Sequence, residues 1–289
     1  MERQDKNIRL KDGRNLSYSE YGDLNGFPVI YFHGSQSSRL EMHYDLSFAS
    51  THKIRIITID RPGHGNSDFN PNTTFLNFAE DVAELTEQLK LNTFSIAGMS
   101  AGAPFALAMC YRFPLKINKA AIISGFAPFN EENKKHLSKQ VKTLLQLAEK
   151  LPFLLRILLK IQVKQIKKNP EKSTQKFLEI MSDADKEVLK NKQVIAVIQK
   201  MFTEAFKNGY NGVAHEISKL LVNDWEFNLQ DNRVSTSIWQ GEKDNNVPLN
   251  WASYLNNEIP NSTLKTFKEE GHLIIFNHAE TIFKALVEK

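Results

Sequence analysis

The order in which two hydrophobic periodicities alternate constrains this chain more than any other feature. Short runs rich in β-branched and aromatic residues occur at Val29 to Phe32, Ile54 to Ile59, Phe94 to Ala97 and Ala120 to Ile123. Stretches with helical spacing separate them. Such runs suit strands covered on both faces. The clearest helical stretch puts Phe75, Phe78, Ala79, Val82, Leu85 and Leu89 on one face, with Thr73 or Thr74 as its N-cap. Strand–helix–strand alternation requires crossover connections. It therefore predicts an α/β chain with a mostly parallel central sheet flanked by helices. The pattern then changes. Asn130 to Asp224, about 95 residues, reads as helical throughout. Strand-like runs return at Ser237 to Gln240 and Leu264 to Phe267, followed by helical patterns at Leu249 to Glu258 and Glu280 to Val287. The expected organisation is a core formed by residues 1–128 and 227–289, with an all-helical cap, residues 129–226, inserted into it.

Charge separates the same two parts. The chain of 289 residues carries a net charge of +4. Between Asn130 and Trp225 there are 18 Lys and Arg against 11 Asp and Glu, a net +7, which leaves −3 for the rest. The first ten residues lack the apolar stretch of a secretory leader, and no apolar run approaches the ~18 residues of a membrane span. The single cysteine, Cys110, has no partner for an internal disulfide. These features lead to the expectation of a cytoplasmic protein.

Chemistry concentrates where strands end. Gly98-Met99-Ser100-Ala101-Gly102 fits G-x-S-x-G, between a strand-like run ending at Ala97 and a helical run from Ala103 to Arg112. A serine on such a sharp strand-to-helix turn is pushed out above the sheet edge, at a helix N-terminus that favours developing negative charge. A serine hydroxyl needs a base. Among eight histidines, His272 lies just beyond the last strand-like run, where a base belongs if the chain order is serine, acid, histidine. His33 and His64 are its rivals, but each sits in a turn of its own. Asp244, after the Ser237 to Gln240 run, is the expected carboxylate to orient the imidazole. Glu242 is its nearest rival, and Glu131 and Glu132 follow. The backbone amides of Ser35, in His33-Gly34-Ser35, and of Ala101 are the expected donors to an oxyanion. In the loop from Asp60 to Ser67, pairing of Asp60 with Arg61 is expected, with His64 fixing the turn.

Together these segments resemble the α/β-hydrolase superfamily. Tyr31 to Ser35, Asp60 to Ser67, Gly98 to Gly102, Gly241 to Asp244 and Gly271-His272 occur in that family's order. The resemblance covers roughly residues 8–128 and 227–289. It implies the α/β-hydrolase fold, a Ser100–His272–Asp244 triad, and an oxyanion hole of the Ser35 and Ala101 amides. Ser37-Ser38-Arg39-Leu40 also looks like a branch of small bacterial hydrolases of poorly defined substrate. Many relatives have proline where Gln36 stands.

The implied activity is that of a serine carboxyl-ester hydrolase acting on a small or medium apolar acyl substrate. Amide, lactone or carbon–carbon bond hydrolysis by the same triad is the alternative, as is a ligand-binding or sensor protein of low turnover. Phosphate-loop, dinucleotide and zinc motifs are missing, so no metal or cofactor is expected. Nucleic acid is not an expected partner, because no recognition motif accompanies the basic charge. From Pro152 the cap reads as an amphipathic lid helix with a basic stripe at Arg156, Lys160, Lys164 and Lys168. Its apolar side is expected to face the pocket and core; weak contact with an anionic membrane surface is the second reading. The sequence leaves the oligomeric state open.

Overall fold

Eight strands form one sheet in a computed structural model that describes residues 3–44, 46–179 and 181–288. The outer limits expected for the core, Met1 and Lys289, lie outside the described residues. The strands are β1 (Gln4–Arg9), β2 (Asn15–Gly22), β3 (Phe27–Phe32), β4 (Ile54–Ile59), β5 (Phe94–Met99), β6 (Ile117–Ile123), β7 (Thr236–Gly241) and β8 (Ser262–Phe267). Their spatial order is β1-β2-β4-β3-β5-β6-β7-β8. β2 is antiparallel to both β1 and β4, and every other neighbouring pair is parallel. The expected α/β architecture, a mostly parallel sheet flanked by helices, is what the chain forms.

The apolar runs form strands because both faces of the sheet are covered. Ile30, Phe32, Ile57, Ile59, Ile96 and Ile122 join one core. Their alternate neighbours Val29, Tyr31, Ile56, Ala97, Met99 and Ile123 join the other. The first core is closed by α2 (Phe75–Gln88), α3 (Ala103–Arg112) and α11 (Leu249–Glu258), and the second by α1 (Ser47–Thr51) and α12 (Ile274–Val287). Thr74 caps α2 in a reciprocal box with Asn77.

β1 and β2 carry no apolar run, and sequence periodicity does not mark them. β1 is mostly exposed, and β2 buries Ser17, Ser19 and Glu20 between its apolar residues. Glu20 is tolerated there because Lys6 and Arg55 meet its carboxylate at 2.7 and 2.5 Å. α12 also starts earlier than its expected Glu280, because Ile274 and Ile275 pack against the second core.

Between β6 and β7 run α4 (Glu131–Lys134), α5 (Lys139–Lys150), α6 (Pro152–Lys168), α7 (Pro170–Glu179), α8 (Asp183–Val188), α9 (Lys192–Ala205) and α10 (Asn211–His215), then a π-helical turn, Glu216–Leu221. Their apolar faces continue both cores: Leu155, Leu159 and Phe202 extend the first, and Val194, Ile198 and Met201 the second. In α6 only Leu155, Leu159, Val163 and Ile166 are buried. Leu151, just before it, and Phe153, Ile157, Leu158 and Ile161 remain exposed, so its outward surface is more apolar than the expected basic stripe. Among the described residues, no helix is long and apolar enough to cross a membrane.

Gly241, at the end of β7, is pressed against the loop after β8. A Cβ there would lie 2.2 Å from the Gly271 carbonyl oxygen. Gly241→Ala is therefore expected to lower stability by about 1–3 kcal/mol, the usual cost of overpacking, read as a fall in the midpoint of urea unfolding.

Candidate active site

Parallel pairing delivers the ends of β3, β5, β6, β7 and β8 to one edge of the sheet. Phe32 lies beside Gly98, Met99 beside Ile123, Ile123 beside Trp239, and Gly241 beside Phe267. The residues that follow these ends are His33, Ser100, Ser124, Asp244 and His272.

Ser100 opens the turn into α3 with φ +52°. The left-handed region costs a non-glycine residue about 1–3 kcal/mol, so the surroundings must hold it there. They do so by close backbone approach. A Cβ on Gly102 would stand 2.2 Å from the Phe32 carbonyl oxygen, so only glycine lets α3 start this close to β3. The Phe126 amide donates to the Ser100 carbonyl at 3.0 Å.

Asp244 and His272 meet across the β7 and β8 loops. His272 Nδ1 lies 2.8 Å from Asp244 Oδ2. An ionised carboxylate can only accept, so Nδ1 is the donor and Nε2 keeps its lone pair. The second oxygen, Oδ1, accepts the Asn246 and Val247 amides at 2.8 and 2.9 Å, and Gln240 Nε2 donates to Oδ2 at 3.1 Å. Burial by itself would push the His272 imidazole down, but the charge and hydrogen bond of Asp244 outweigh it, and its pKa is raised. Ser124 Oγ donates to the His272 carbonyl at 3.1 Å, which ties this loop to the end of β6.

Ser35, Ala101, Ser100 and His272 line one cavity of about 490 Å³. Asp244 stands behind His272. Arg61 donates to the carbonyls of His33 and Gly34, and the Gly34 amide donates to Glu41 Oε2 at 2.8 Å. Among the described residues, no protein group accepts the Ser35 amide. Gln36 has φ +53° and its Oε1 accepts from Gln162 Nε2 of α6 at 2.8 Å. Proline, locked near φ −65°, has no access to that conformation. The departure from the common proline is thus a different turn, joined to α6.

The rivals are elsewhere. Glu242 accepts from Thr266, and Glu131 and Glu132 pair with Lys134 and Lys135 on an exposed helix. His33 bonds the Gly34 carbonyl and packs on His64. Burial holds both imidazoles low, that of His64 at about 4. The pairing of Asp60 with Arg61 is not formed. Asp60 pairs with Arg39 at 2.7 Å and Arg61 with Glu216 at 2.6 Å, because each guanidinium turns to a buried carboxylate across the loop.

A family model for the α/β-hydrolase fold matches residues 27–279. The chain belongs to the α/β-hydrolase fold family. It is similar to a non-heme chloroperoxidase of Streptomyces lividans, 33% identical over 124 residues, which are 42% of this chain and 45% of that protein. It is also similar to 3-oxoadipate enol-lactonase 1 of Acinetobacter baylyi, 33% identical over 100 residues, 35% of this chain and 37% of the other. The chain thus spans less than half the length of either relative. The solved structure of an esterase from Exiguobacterium antarcticum superposes with TM-score 0.73 at 21% identity, covering 98% of both chains. An enol-lactonase from Burkholderia xenovorans gives 0.71 at 17%, again with 98% of both covered.

Two carboxylates of this α/β-hydrolase site escape sequence reasoning. Glu41 is buried and lines the cavity, accepting from Tyr31 Oη at 2.9 Å as well as from Gly34; burial pushes its carboxyl up. Asp185 of α8 reaches beneath His272 and accepts the Leu273 amide at 2.7 Å. Ser182-x-x-Asp185 has the spacing of a helix cap, and Ser182 does cap α8, but nothing local reveals the long reach of Asp185.

By NMR, the His272 ring is expected to titrate above the ordinary value of about 6.5, with Asp244→Asn lowering it. The raised value means that the Asp244–His272 pair adds stability below the unfolded-state pKa and loses it as pH rises through the folded one. Asp185→Ala is expected to cost about 1–3 kcal/mol by leaving the Leu273 amide unpaired, measured by urea denaturation.

Proposed function

We propose that the chain is a serine carboxyl-ester hydrolase acting through an acyl-enzyme on Ser100. The observation that carries this reading is that a left-handed serine and a histidine oriented by a saturated carboxylate line the same cavity. His272 Nε2 takes the Ser100 proton as Oγ attacks the ester carbonyl. The Ser35 and Ala101 amides hold the oxyanion, and His272 then protonates the departing alcohol. Water, activated by the same imidazole, releases the acid. Met99, Phe126, Leu145, Phe177, Phe202 and Leu221 give the cavity an apolar lining that suits a small or medium acyl chain. The segment 129–226 acts as its cap, and the relatives named above as esterase and lactonase fit this chemistry.

A second reading, lactone hydrolysis by the same three residues, is favoured by the likeness to an enol-lactonase. Parallel panels of p-nitrophenyl esters of graded chain length and of lactones separate the two. Binding of both without product would favour a ligand-binding protein instead.

A fluorophosphonate probe is expected to label Ser100, and Ser100→Ala to abolish both labelling and ester turnover. Labelling that survives the substitution would overturn the assignment. Because His272 must be neutral to accept a proton, kcat/KM should rise with pH through its raised pKa. Asp244→Asn should lower kcat by about 10⁴, the order seen when a triad imidazole loses its orienting carboxylate.

A further inference from the structure

The cavity that holds Ser100 adjoins a second hollow. This smaller space, about 350 Å³, is lined by Gln165, Lys168, Asn169, Lys172, Ser173 and Lys176, from the end of α6 and the start of α7. Gln165, Ser173 and Lys176 line both spaces. The lining of the smaller one is one-sided in chemistry. Three ammonium groups and two carboxamides supply N–H donors, and no carboxylate is present. The Asn169 Oδ1 accepts the Lys172 amide at 2.9 Å, so its own amino group is the end left over, while Ser173 gives its proton to the Asn169 carbonyl at 2.9 Å.

Some lysines of the same insertion, away from this hollow, are paired with carboxylates. Lys134 meets Glu131 and Glu149 at 2.9 Å, Lys186 meets Asp183 at 2.8 Å, and Lys190 meets Glu187 at 2.5 Å. Among the described residues, Lys168, Lys172 and Lys176 have no acidic partner, although Glu171 and Glu179 stand on α7 with Lys172 and Lys176. The segment from Lys134 to Lys176 holds 12 basic residues and 2 acidic ones. Like charges gathered round one hollow repel each other, and an anion placed among them relieves that repulsion.

We propose that this hollow binds an anion, and that the substrate is an acyl ester whose chain ends in an anionic group remote from the scissile bond. The inference rests on the esterase reading above and names its substrate class. The scissile carbonyl lies at Ser100, the chain crosses the apolar interior past Leu145 and Phe177, and the anionic end reaches the shared wall at Lys176 and the lysines beyond. Ammonium groups on flexible stems act as point charges and take carboxylate or phosphate alike.

The test compares p-nitrophenyl esters of straight-chain acids that end in methyl, carboxylate or phosphate. The enzymes are wild type, Lys168→Gln/Lys172→Gln and Lys172→Glu. The expected result is a kcat/KM several-fold higher for at least one charged ester than for the methyl-ended one. That ratio should drop about fivefold in the double variant, as expected for two exposed charge contacts, and at least as far in Lys172→Glu. Salt at about 1 M, where the screening length is about 3 Å, should erase it. Equal kcat/KM for all three esters overturns the proposal, and so does a ratio that the variants leave unchanged. Turnover of the methyl-ended ester reports the esterase reading by itself. If no ester is cleaved, that reading fails, and calorimetric binding of monomethyl sebacate decides the anion site alone. Weaker binding by the double variant supports it, and equal binding by both proteins overturns it.

Discussion

Parallel pairing along β4-β3-β5-β6-β7-β8 is the constraint on which the rest depends. Because these strands run the same way, their carboxyl ends share one edge, and residues separated by more than 170 positions arrive together there. The pairing in turn requires both faces to be covered, which explains the continuous apolar runs and the helices that close them. Where the covering helices come close, the backbone has no spare room, as the contact between Gly102 and β3 demonstrates.

Buried charge ties this edge to the inserted helices. Arg39 joins Asp60 of the β4 loop to Glu204 of α9, both at 2.7 Å, and Arg61 joins the His33–Gly34 turn to Glu216. Gln162 bonds Gln36, and Asp185 holds the backbone beside His272. Buried ion pairs contribute little net stability over an apolar replacement, yet losing one partner is costly. Such contacts therefore specify how the insertion sits more than they strengthen the fold. Each lies within a few residues of a group placed in the proposed chemistry.

The fold was legible where periodicity was strong. The six apolar runs became β3 to β8, and α3 and α11 have the ends read from the sequence; for β3 to β7 burial on both faces leaves a pattern no turn residue disturbs, while β8 is a half-exposed edge strand. β1 and β2 were not legible, since the partners of Glu20 and Ser19 come from other strands. Ser100, Asp244 and His272 could be picked out because each follows a strand end with glycine nearby. The pairing of Arg39 with Asp60 could not, because Asp60 has a buried guanidinium next to it in sequence, on Arg61, and another from a separate segment, on Arg39, and only tertiary geometry chooses. Asp185 was hidden for the same reason: a carboxylate in the first turn of its helix, accepting from the Ser182 cap hydroxyl, gives no local sign of a second bond 88 positions away.

The order of the strands along the chain has a consequence for synthesis. β7 and β8 are translated after the whole helical insertion, yet β7 pairs with β6, from before it, and β8 with β7. A nascent chain that has reached residue 230 already holds its serine turn but has neither Asp244 nor His272. Until β7 emerges, β6 presents Ala120, Ala121, Ile122 and Ile123 along an open edge able to pair with another chain. The nascent chain at that stage therefore lacks two of the three groups of the proposed chemistry and exposes a strand edge at the same moment, and emergence of β7, β8 and the loop carrying His272 relieves both conditions together.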